Sequence, residues 1–182
     1  TQFDAGNGTT GPLAVDDDGT VWVGYTDSSL ARFDGTDWEW FPYVAPLRSE
    51  SVAVAPDGTV WAGTSSSDDS RDGLRVFDGE DWTRIGLNGT LFPVTIGDSV
   101  AVALDGSLWV GSRGEDSVSA EAGGVARFDG SEWSVFTIDD GLASNRSEVV
   151  AGSDGSVWAV SADGVARFDG TGPLQLMQPS TL

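Results

Sequence analysis

A short phrase recurs four times along the chain, and it constrains the fold more than any other feature. Each copy has an Asp-Gly pair, then an aliphatic residue and a Trp, and further along a Phe-Asp-Gly triplet. The copies are Asp18-Gly19 with Trp22 and Phe33, Asp57-Gly58 with Trp61 and Phe77, Asp105-Gly106 with Trp109 and Phe128, and Asp154-Gly155 with Trp158 and Phe168. A unit this short cannot bury its own apolar face, so neighbouring units must stack. The sequence therefore predicts one domain over residues 1–182, with repeats at about 11–41, 50–85, 98–136 and 147–177.

The second copy shows most clearly how one unit folds. A Val- and Ala-rich run over 51–55 is followed by Pro56-Asp57-Gly58 and by a second β-rich run over 59–63. Pro fixes φ and Gly accepts positive φ, so this order is typical of a tight hairpin turn. A third run over 74–77 and a fourth over 82–85 are joined by another Asp-Gly turn. Each unit is therefore predicted to be a meander of four short antiparallel strands.

The first strand of each unit has small side chains, whereas the later strands carry the aromatic residues. Val alternates with Ala over 52–55 and 100–103, which suits a crowded position near an axis. The Trp and Phe residues supply larger volumes farther out, as wedge-shaped blades around an axis require. The predicted fold class is all-β: a β-propeller of four four-stranded antiparallel blades. The blades would form a closed four-blade ring, or part of a larger ring or of a dimer.

The longer connections are expected to carry the function. Successive connections in an antiparallel meander alternate between the two ends of the sheet, so the Asp-Gly turns share one end and the variable loops share the other. Six polar residues come just before or at a first strand on the variable side: Arg48, Glu50, Asp98, Asn145, Arg146 and Glu148. We predict that they surround the mouth of a central channel and bind a ligand. The alternative is a rim of solvated charges that pair with one another.

Composition narrows the classes of activity and partner. The chain lacks His, Cys and Lys, so imidazole bases, thiol nucleophiles and Schiff bases are excluded. This absence predicts a protein that is not an enzyme. The net charge of −20 argues against nucleic acid and anionic membranes as partners. No apolar run approaches the roughly 20 residues that span a bilayer, so the expected partner is a small molecule or a protein, with no membrane insertion.

An acidic loop offers a cofactor candidate. Asp68, Asp69 and Asp72 lie close together in the sequence, and Ca²⁺ prefers hard carboxylate oxygens. The loop lacks the regular spacing of a calcium-binding loop, so a solvated acidic loop is the alternative. No other metal or cofactor is expected.

The last two units resemble a known family of repeats. An aromatic strand beginning at Trp133 precedes Asp140-Gly141-Leu142 with Asn145, then Asp154-Gly155 with Val157-Trp158, and finally Gly164-Val165-Ala166-Arg167-Phe168-Asp169. This order resembles the two-component-regulator propeller repeat. The resemblance implies a bacterial β-propeller in an extracytoplasmic sensor or a secreted protein, and hence an extracellular or periplasmic location.

The fourth unit departs from that pattern. Pro173 stands where the other units have Trp38, Trp82 and Trp133. The sequence therefore predicts an eroded outer strand in this unit, which Thr1-Gln2-Phe3 would replace as a closing strand. Alternatively, the chain belongs to a larger ring, or two copies complete one.

Three functions remain open from the sequence. The first is a sensor-like module that binds a ligand or a protein through its variable loops. The second is a glycan-active enzyme that uses two carboxylates, such as Glu50 with Glu148 or Asp98. The third is an assembly piece of a larger secreted protein, present as a homodimer or within a larger parent propeller.

Overall fold

The computed structural model describes residues 10–25, 29–42, 48–65, 73–85, 99–112, 123–169 and 175–177. Within these residues, sixteen strands form four sheets of four strands each. The same residues contain no helix with the length and apolar character needed to cross a membrane.

Each sheet takes its strands from one repeat, in chain order. Sheet A consists of β1 (Thr10–Val15), β2 (Val21–Tyr25), β3 (Ser29–Phe33) and β4 (Trp38–Pro42). Sheet B consists of β5 (Arg48–Val54), β6 (Val60–Ser65), β7 (Gly73–Phe77) and β8 (Trp82–Ile85). Sheet C consists of β9 (Ser99–Val102), β10 (Leu108–Gly111), β11 (Val125–Phe128) and β12 (Trp133–Phe136). Sheet D consists of β13 (Glu148–Ala151), β14 (Val157–Ser161), β15 (Gly164–Phe168) and β16 (Gln175–Met177).

Every strand pairs antiparallel with the next strand of its own sheet, so the predicted four-stranded meanders are confirmed. The Trp of each second strand pairs with a fixed position of the first strand. These first-strand positions are Ala14, Ala53, Ala101 and Val150. The four sheets can therefore be compared residue by residue by counting from these positions.

The Asp-Gly turns set the register of the first hairpin in each sheet. Between β5 and β6, the Gly58 N–H donates to the Ala55 carbonyl at 2.8 Å. The Thr59 N–H donates to Oδ1 of Asp57 at 2.9 Å. Gly58 has φ of 84°, a conformation that a residue with a Cβ adopts only with strain. Asp57 thus accepts a hydrogen bond within the turn, whereas Gly58 adopts the positive φ that the turn requires.

The core lies between the sheets, not within any one of them. The first strands lie side by side, with β1 against β5, β5 against β9 and β9 against β13. Between sheets A and B, Trp22 packs with Val52 and Phe77. Between sheets C and D, Trp109 packs with Phe168 and with neighbouring apolar residues. The sheets therefore succeed one another around the first strands, as the blades of a propeller do.

Closure into a four-blade ring, one of the predicted alternatives, is not found. The strand packing that joins sheet A to B, B to C and C to D has no comparable counterpart between sheets A and D among the described residues. The four sheets thus form an open arc. Membership of a larger ring or of a dimer remains a prediction.

The predicted loss of the outer strand in the fourth unit is wrong. β16 pairs with β15 through Arg167 with Gln175 and Val165 with Met177. The backbone supplies this pairing, so the strand forms without the Trp that the other units carry at this place. Thr1–Phe3, the predicted replacement, lies outside the described residues.

Candidate functional site

The first strands of all four sheets begin on one side of the arc and end on the other. At the starts of β9 and β13, the Ser99 hydroxyl donates to the Val149 carbonyl at 3.0 Å and accepts the Val149 N–H at 2.9 Å. At the opposite ends, residues that close β1, β5 and β9 line one cavity. We name the first side the loop face and the second the turn face.

The start of β5 presents two charged residues on the loop face. Arg48 and Glu50 are exposed, whereas Ser49 between them is only 3% exposed. A Cβ built on Gly24 of sheet A would lie 2.4 Å from Cβ of Ser49, so the two sheets approach closely here. The hydroxyl of Ser65 donates to a carboxylate oxygen of Glu50. The buried Ser thus fixes the backbone from which Arg48 and Glu50 reach the surface.

The start of β13 repeats this arrangement. Arg146 and Glu148 are exposed, and Ser147 between them is only 2% exposed. The Ser147 N–H donates to the Ser112 carbonyl of sheet C at 3.0 Å. A Cβ on Gly111 would lie 2.2 Å from the Ser147 carbonyl oxygen. The sequence Arg-Ser-Glu therefore occurs twice with its Ser buried against the preceding sheet and its charged neighbours exposed.

The structure groups these charges into two pairs on one face. Arg48 and Glu50 belong to sheet B, while Arg146 and Glu148 belong to sheet D. Both β5 and β13 pack against β9, which lies between them. The two charged patches are therefore similar and lie on either side of the start of sheet C. The predicted site residue Asp98 precedes β9 in the sequence and lies outside the described residues.

Asn145 has a structural partner next to the second patch. Its side-chain oxygen accepts the Ile138 N–H at 2.9 Å. Ile138 begins a short 3-10 helix, Ile138–Asp140, which a reciprocal cap between Thr137 and Asp140 holds at its first turn. Leu142 follows and is buried between sheets C and D. The Asp-Gly-Leu segment is therefore a folded loop, and Asn145 helps to position the backbone that leads to Arg146.

The predicted calcium ligands are not among the residues that the structure describes. Asp68, Asp69 and Asp72 lie outside the described residues, so calcium binding there remains a prediction. Within the residues that are described, no group of three or more carboxylates is arranged to hold a metal ion.

The turn face has a cavity that the sequence did not indicate. Its volume is about 150 Å³, and its lining includes Val15, Asp16, Pro56 and Leu104. Leu104 is 66% exposed. It occupies the position before the turn Asp, where sheet B has Pro56. The apolar Leu104 at an exposed turn position could have indicated this cavity from the sequence. The regular Asp-Gly turns instead suggested that this face has only a structural role.

Two Arg residues of the third strands, Arg127 and Arg167, each pair with a turn Asp. Nη2 of Arg127 donates to Oδ2 of Asp105 at 3.0 Å, and its guanidinium lies 5.6 Å from the Trp109 ring centre. Burial would raise the pKa of Asp105, but hydrogen bonds from Ser107 and the charge of Arg127 outweigh it and lower that pKa. Arg167 and Asp154 form the same pair at 3.3 Å. These turn carboxylates are held ionised, which suits a structural role better than proton transfer.

Comparisons with known proteins show the fold. Virginiamycin B lyase from Staphylococcus aureus has a similar structure, with a TM-score of 0.66 and 13% identity over 94% of this chain and 56% of the lyase. The extracellular domain of the putative hybrid two component system BT3049 from B. thetaiotaomicron has a TM-score of 0.65 and 13% identity over 94% of this chain and 24% of that domain. XC5397 from Xanthomonas campestris, a gluconolactonase, has a TM-score of 0.63 and 21% identity over 93% of this chain and 62% of that protein.

The chain spans about half the length of the streptogramin-type lyases that it matches, 56% of one and 55% of another. No protein-family model matches the chain, and no curated protein sequence matches it. The extracellular domain of BT4673 is also similar in structure, and its likeness and that of the BT3049 domain show a shared fold. Membership of the two-component-regulator repeat family remains a prediction.

The comparisons correct one prediction. The absence of His, Cys and Lys led to the expectation that the chain is not an enzyme, and this expectation is wrong. Proteins with similar structures include a lyase, a gluconolactonase and a luciferin-regenerating enzyme. The fold is therefore compatible with enzymatic activity.

Proposed function

We propose that this chain is a binding module that holds a small ligand or a protein segment on its loop face. Arg48, Glu50, Arg146 and Glu148 make the contacts, and Asp98 belongs to the same set. The observation that carries the proposal is the repeated Arg-Ser-Glu arrangement, in which a buried Ser fixes two exposed charged side chains on the same face.

The chemistry of the two patches favours a ligand with both polar and charged groups. A guanidinium presents a planar fork of donors that matches a carboxylate. A neighbouring Glu accepts hydrogen bonds from hydroxyl or ammonium groups. Each patch can therefore hold a sugar acid, an amino acid or a peptide end, and the rigid sheet beneath it reduces the entropy lost on binding.

Similar structures support this kind of use. Two of them are extracellular domains of a putative hybrid two component system and of a putative one component system. Another is YCF48 bound to the D1 peptide. An extracellular or periplasmic location for this chain belongs to the same proposal.

A thermal-shift screen tests the proposal. The panel contains sugar acids, amino acids, neutral oligosaccharides and short acidic and basic peptides. We expect a compound that raises the melting temperature of the wild-type chain to bind at least tenfold more weakly to the double variant Arg48→Ala, Arg146→Ala. The matched control is Glu132→Gln, a charge change in the exposed turn between β11 and β12. Unchanged affinity in the double variant would place the binding site elsewhere.

An enzyme at the same face is the second candidate. It is favoured by the enzymes among the similar structures and by the exposed carboxylates Glu50 and Glu148. The test is turnover of glycans and lactones by the wild-type chain, compared with Glu50→Gln and Glu148→Gln. Activity that persists in both variants would exclude these carboxylates as the reacting groups.

A further inference from the structure

Two sides of the arc expose large apolar residues. The A-face is the side of sheet A that points away from sheet B, and its Leu13, Val15 and Trp40 are 64%, 58% and 43% exposed. The D-face is the side of sheet D that points away from sheet C, and its Val150 and Val160 are 56% and 41% exposed. Monomeric proteins rarely leave such residues grouped on one surface.

Equivalent residues in the other sheets are buried by a neighbouring sheet. Counting from the positions that pair with the second-strand Trp, Leu13 corresponds to Val52 and Val100, which are each 8% exposed. Val150 corresponds to Ala53 and Ala101, at 8% and 9% exposure. Leu13 and Val150 therefore occupy positions that, in the other sheets, contact a neighbouring sheet.

The two faces carry opposite halves of that contact. Inside the arc, the second-strand Trp of one sheet meets the Phe of the next sheet's Phe-Asp-Gly triplet. The ring centres of Trp22 and Phe77 are 5.9 Å apart, and those of Trp109 and Phe168 are 4.7 Å apart.

Each outer face retains the aromatic residue that would take part in such a contact. The D-face has Trp158, over which Arg167 stacks at 5.5 Å. The A-face has Phe33, which is only 9% exposed in the single chain and whose ring centre lies 5.0 Å from that of Trp38. The D-face thus supplies the Trp side and the A-face supplies the Phe side.

One position on the D-face differs from the internal contacts. Two residues after the second-strand Trp, sheets A, B and C have Gly24, Gly63 and Gly111, whereas sheet D has Val160. At Gly24 and Gly111 the chain that leads into the next sheet passes too close for a Cβ. At Gly111 the contact is with a backbone oxygen, so a small side chain on the partner would not make room for Val160. The strand that packs on the D-face must therefore lie farther from Val160 than the internal strands lie from Gly24 and Gly111.

We propose that the D-face of one copy of this chain binds the A-face of a second copy, so that copies associate head to tail. Every copy carries both halves of the contact, and Leu13, Val15 and Val150 continue the pattern of the internal interfaces, whereas Val160 does not. A contact of this heterologous kind closes into a ring when the rotation between copies allows it, and otherwise extends into a chain of copies.

Light scattering with complementary variants tests the proposal. We expect the wild-type chain at about 100 μM to have at least twice the monomer mass, and Val150→Asp or Leu13→Asp alone to be monomeric. Val150→Asp keeps an intact A-face and Leu13→Asp keeps an intact D-face. An equimolar mixture should therefore form a 1:1 dimer that neither variant forms alone. The control is Ile138→Asp, which charges another exposed apolar residue, 54% exposed, outside both faces.

The mixing experiment distinguishes the proposed contact from other associations. A wild-type chain that remains monomeric at this concentration would overturn the proposal. Association that survives both single variants would also overturn it, as would a mixture that fails to restore the dimer. Circular dichroism and urea unfolding check that each variant is folded. The pair Val15→Asp and Val160→Asp repeats the test if the first pair does not fold.

Discussion

A single side chain in sheet C connects an exposed Asp-Gly turn to a buried Trp. In sheet C, the Ser107 hydroxyl donates to Oδ1 of Asp105 at 2.6 Å and accepts from Nε1 of Trp109 at 3.0 Å. Ser107 and Trp109 are 3% and 1% exposed. Replacing Ser107 by Ala leaves a buried indole N–H without an acceptor, so we expect Ser107→Ala to reduce the free energy of unfolding by about 1–3 kcal/mol. Urea unfolding monitored by Trp fluorescence measures this change.

Ser131 provides a matched control for that substitution. Its hydroxyl donates to Oδ1 of Asp129 at 2.8 Å in an exposed turn, where water replaces the lost bond. We expect Ser131→Ala to change the free energy of unfolding by less than about 0.5 kcal/mol. An equal decrease in the free energy of unfolding of the two variants would show that the Ser107 hydroxyl is not needed as an acceptor for the buried indole N–H.

At the scale of the elements, two glycines allow neighbouring sheets to approach. A Cβ on Gly24 would collide with the side chain of Ser49, whereas a Cβ on Gly111 would collide with the backbone oxygen of Ser147. We expect Gly24→Ala and Gly111→Ala each to destabilise the protein by about 1–3 kcal/mol through overpacking. Only the first collision involves a side chain that a second substitution can remove.

Double variants separate the two cases. Adding Ser49→Gly to Gly24→Ala removes the Ser49 atoms that the new Cβ meets and leaves Cγ of Pro12 at 3.2 Å, so we expect part of the lost stability to return. Adding Ser147→Gly to Gly111→Ala leaves the colliding carbonyl in place, and no recovery is expected. Thermal unfolding of the four variants and of both Ser→Gly single variants measures these differences. Recovery in the second pair would contradict the assigned collision.

For the whole molecule, the turns make stability depend on acidic pH. Hydrogen bonds to the backbone and to side chains lower the pKa of one Asp in each of seven turns. These residues are Asp18, Asp34, Asp57, Asp78, Asp105, Asp129 and Asp154. The N–H groups of Glu132 and Ser131 lower the pKa of Asp129 to about 2. A carboxyl group whose pKa is lower in the folded state stabilises the fold above its unfolded pKa, and this contribution is lost as the pH falls through the folded pKa.

The urea midpoint should therefore be level above about pH 5 and decrease as the pH falls from about 4 to 2. The measurement is made in 0.5 M NaCl, because the net charge of −20 otherwise adds a repulsion that protonation relieves. In Asp129→Ala the midpoint should be lower at neutral pH, and the difference from wild type should shrink below pH 4. A midpoint that stays level or rises between pH 4 and 2 would contradict the stabilising role of these carboxylates.

Local pattern was enough to predict the four meanders. Asp57-Gly58 specifies a turn through contacts within five residues. The positions of Trp and Phe identify the strands that have large side chains. The same local reasoning failed at β16, because Gln175–Met177 pairs through its backbone and has no aromatic signature. It also missed the cavity beside Leu104, since the cavity exists only where three turns meet.

The sequence by itself determined the repeat, the strand order within each sheet and the acidic turns, because each depends on residues close together in the chain. Only the tertiary structure decided that the four sheets form an open arc and that Arg48 and Arg146 share a face on separate sheets. It also decided that Leu13 and Val150 stand exposed while their equivalents are buried. These properties depend on the angle and distance between sheets, which arise from packing summed over whole faces and not from any single segment.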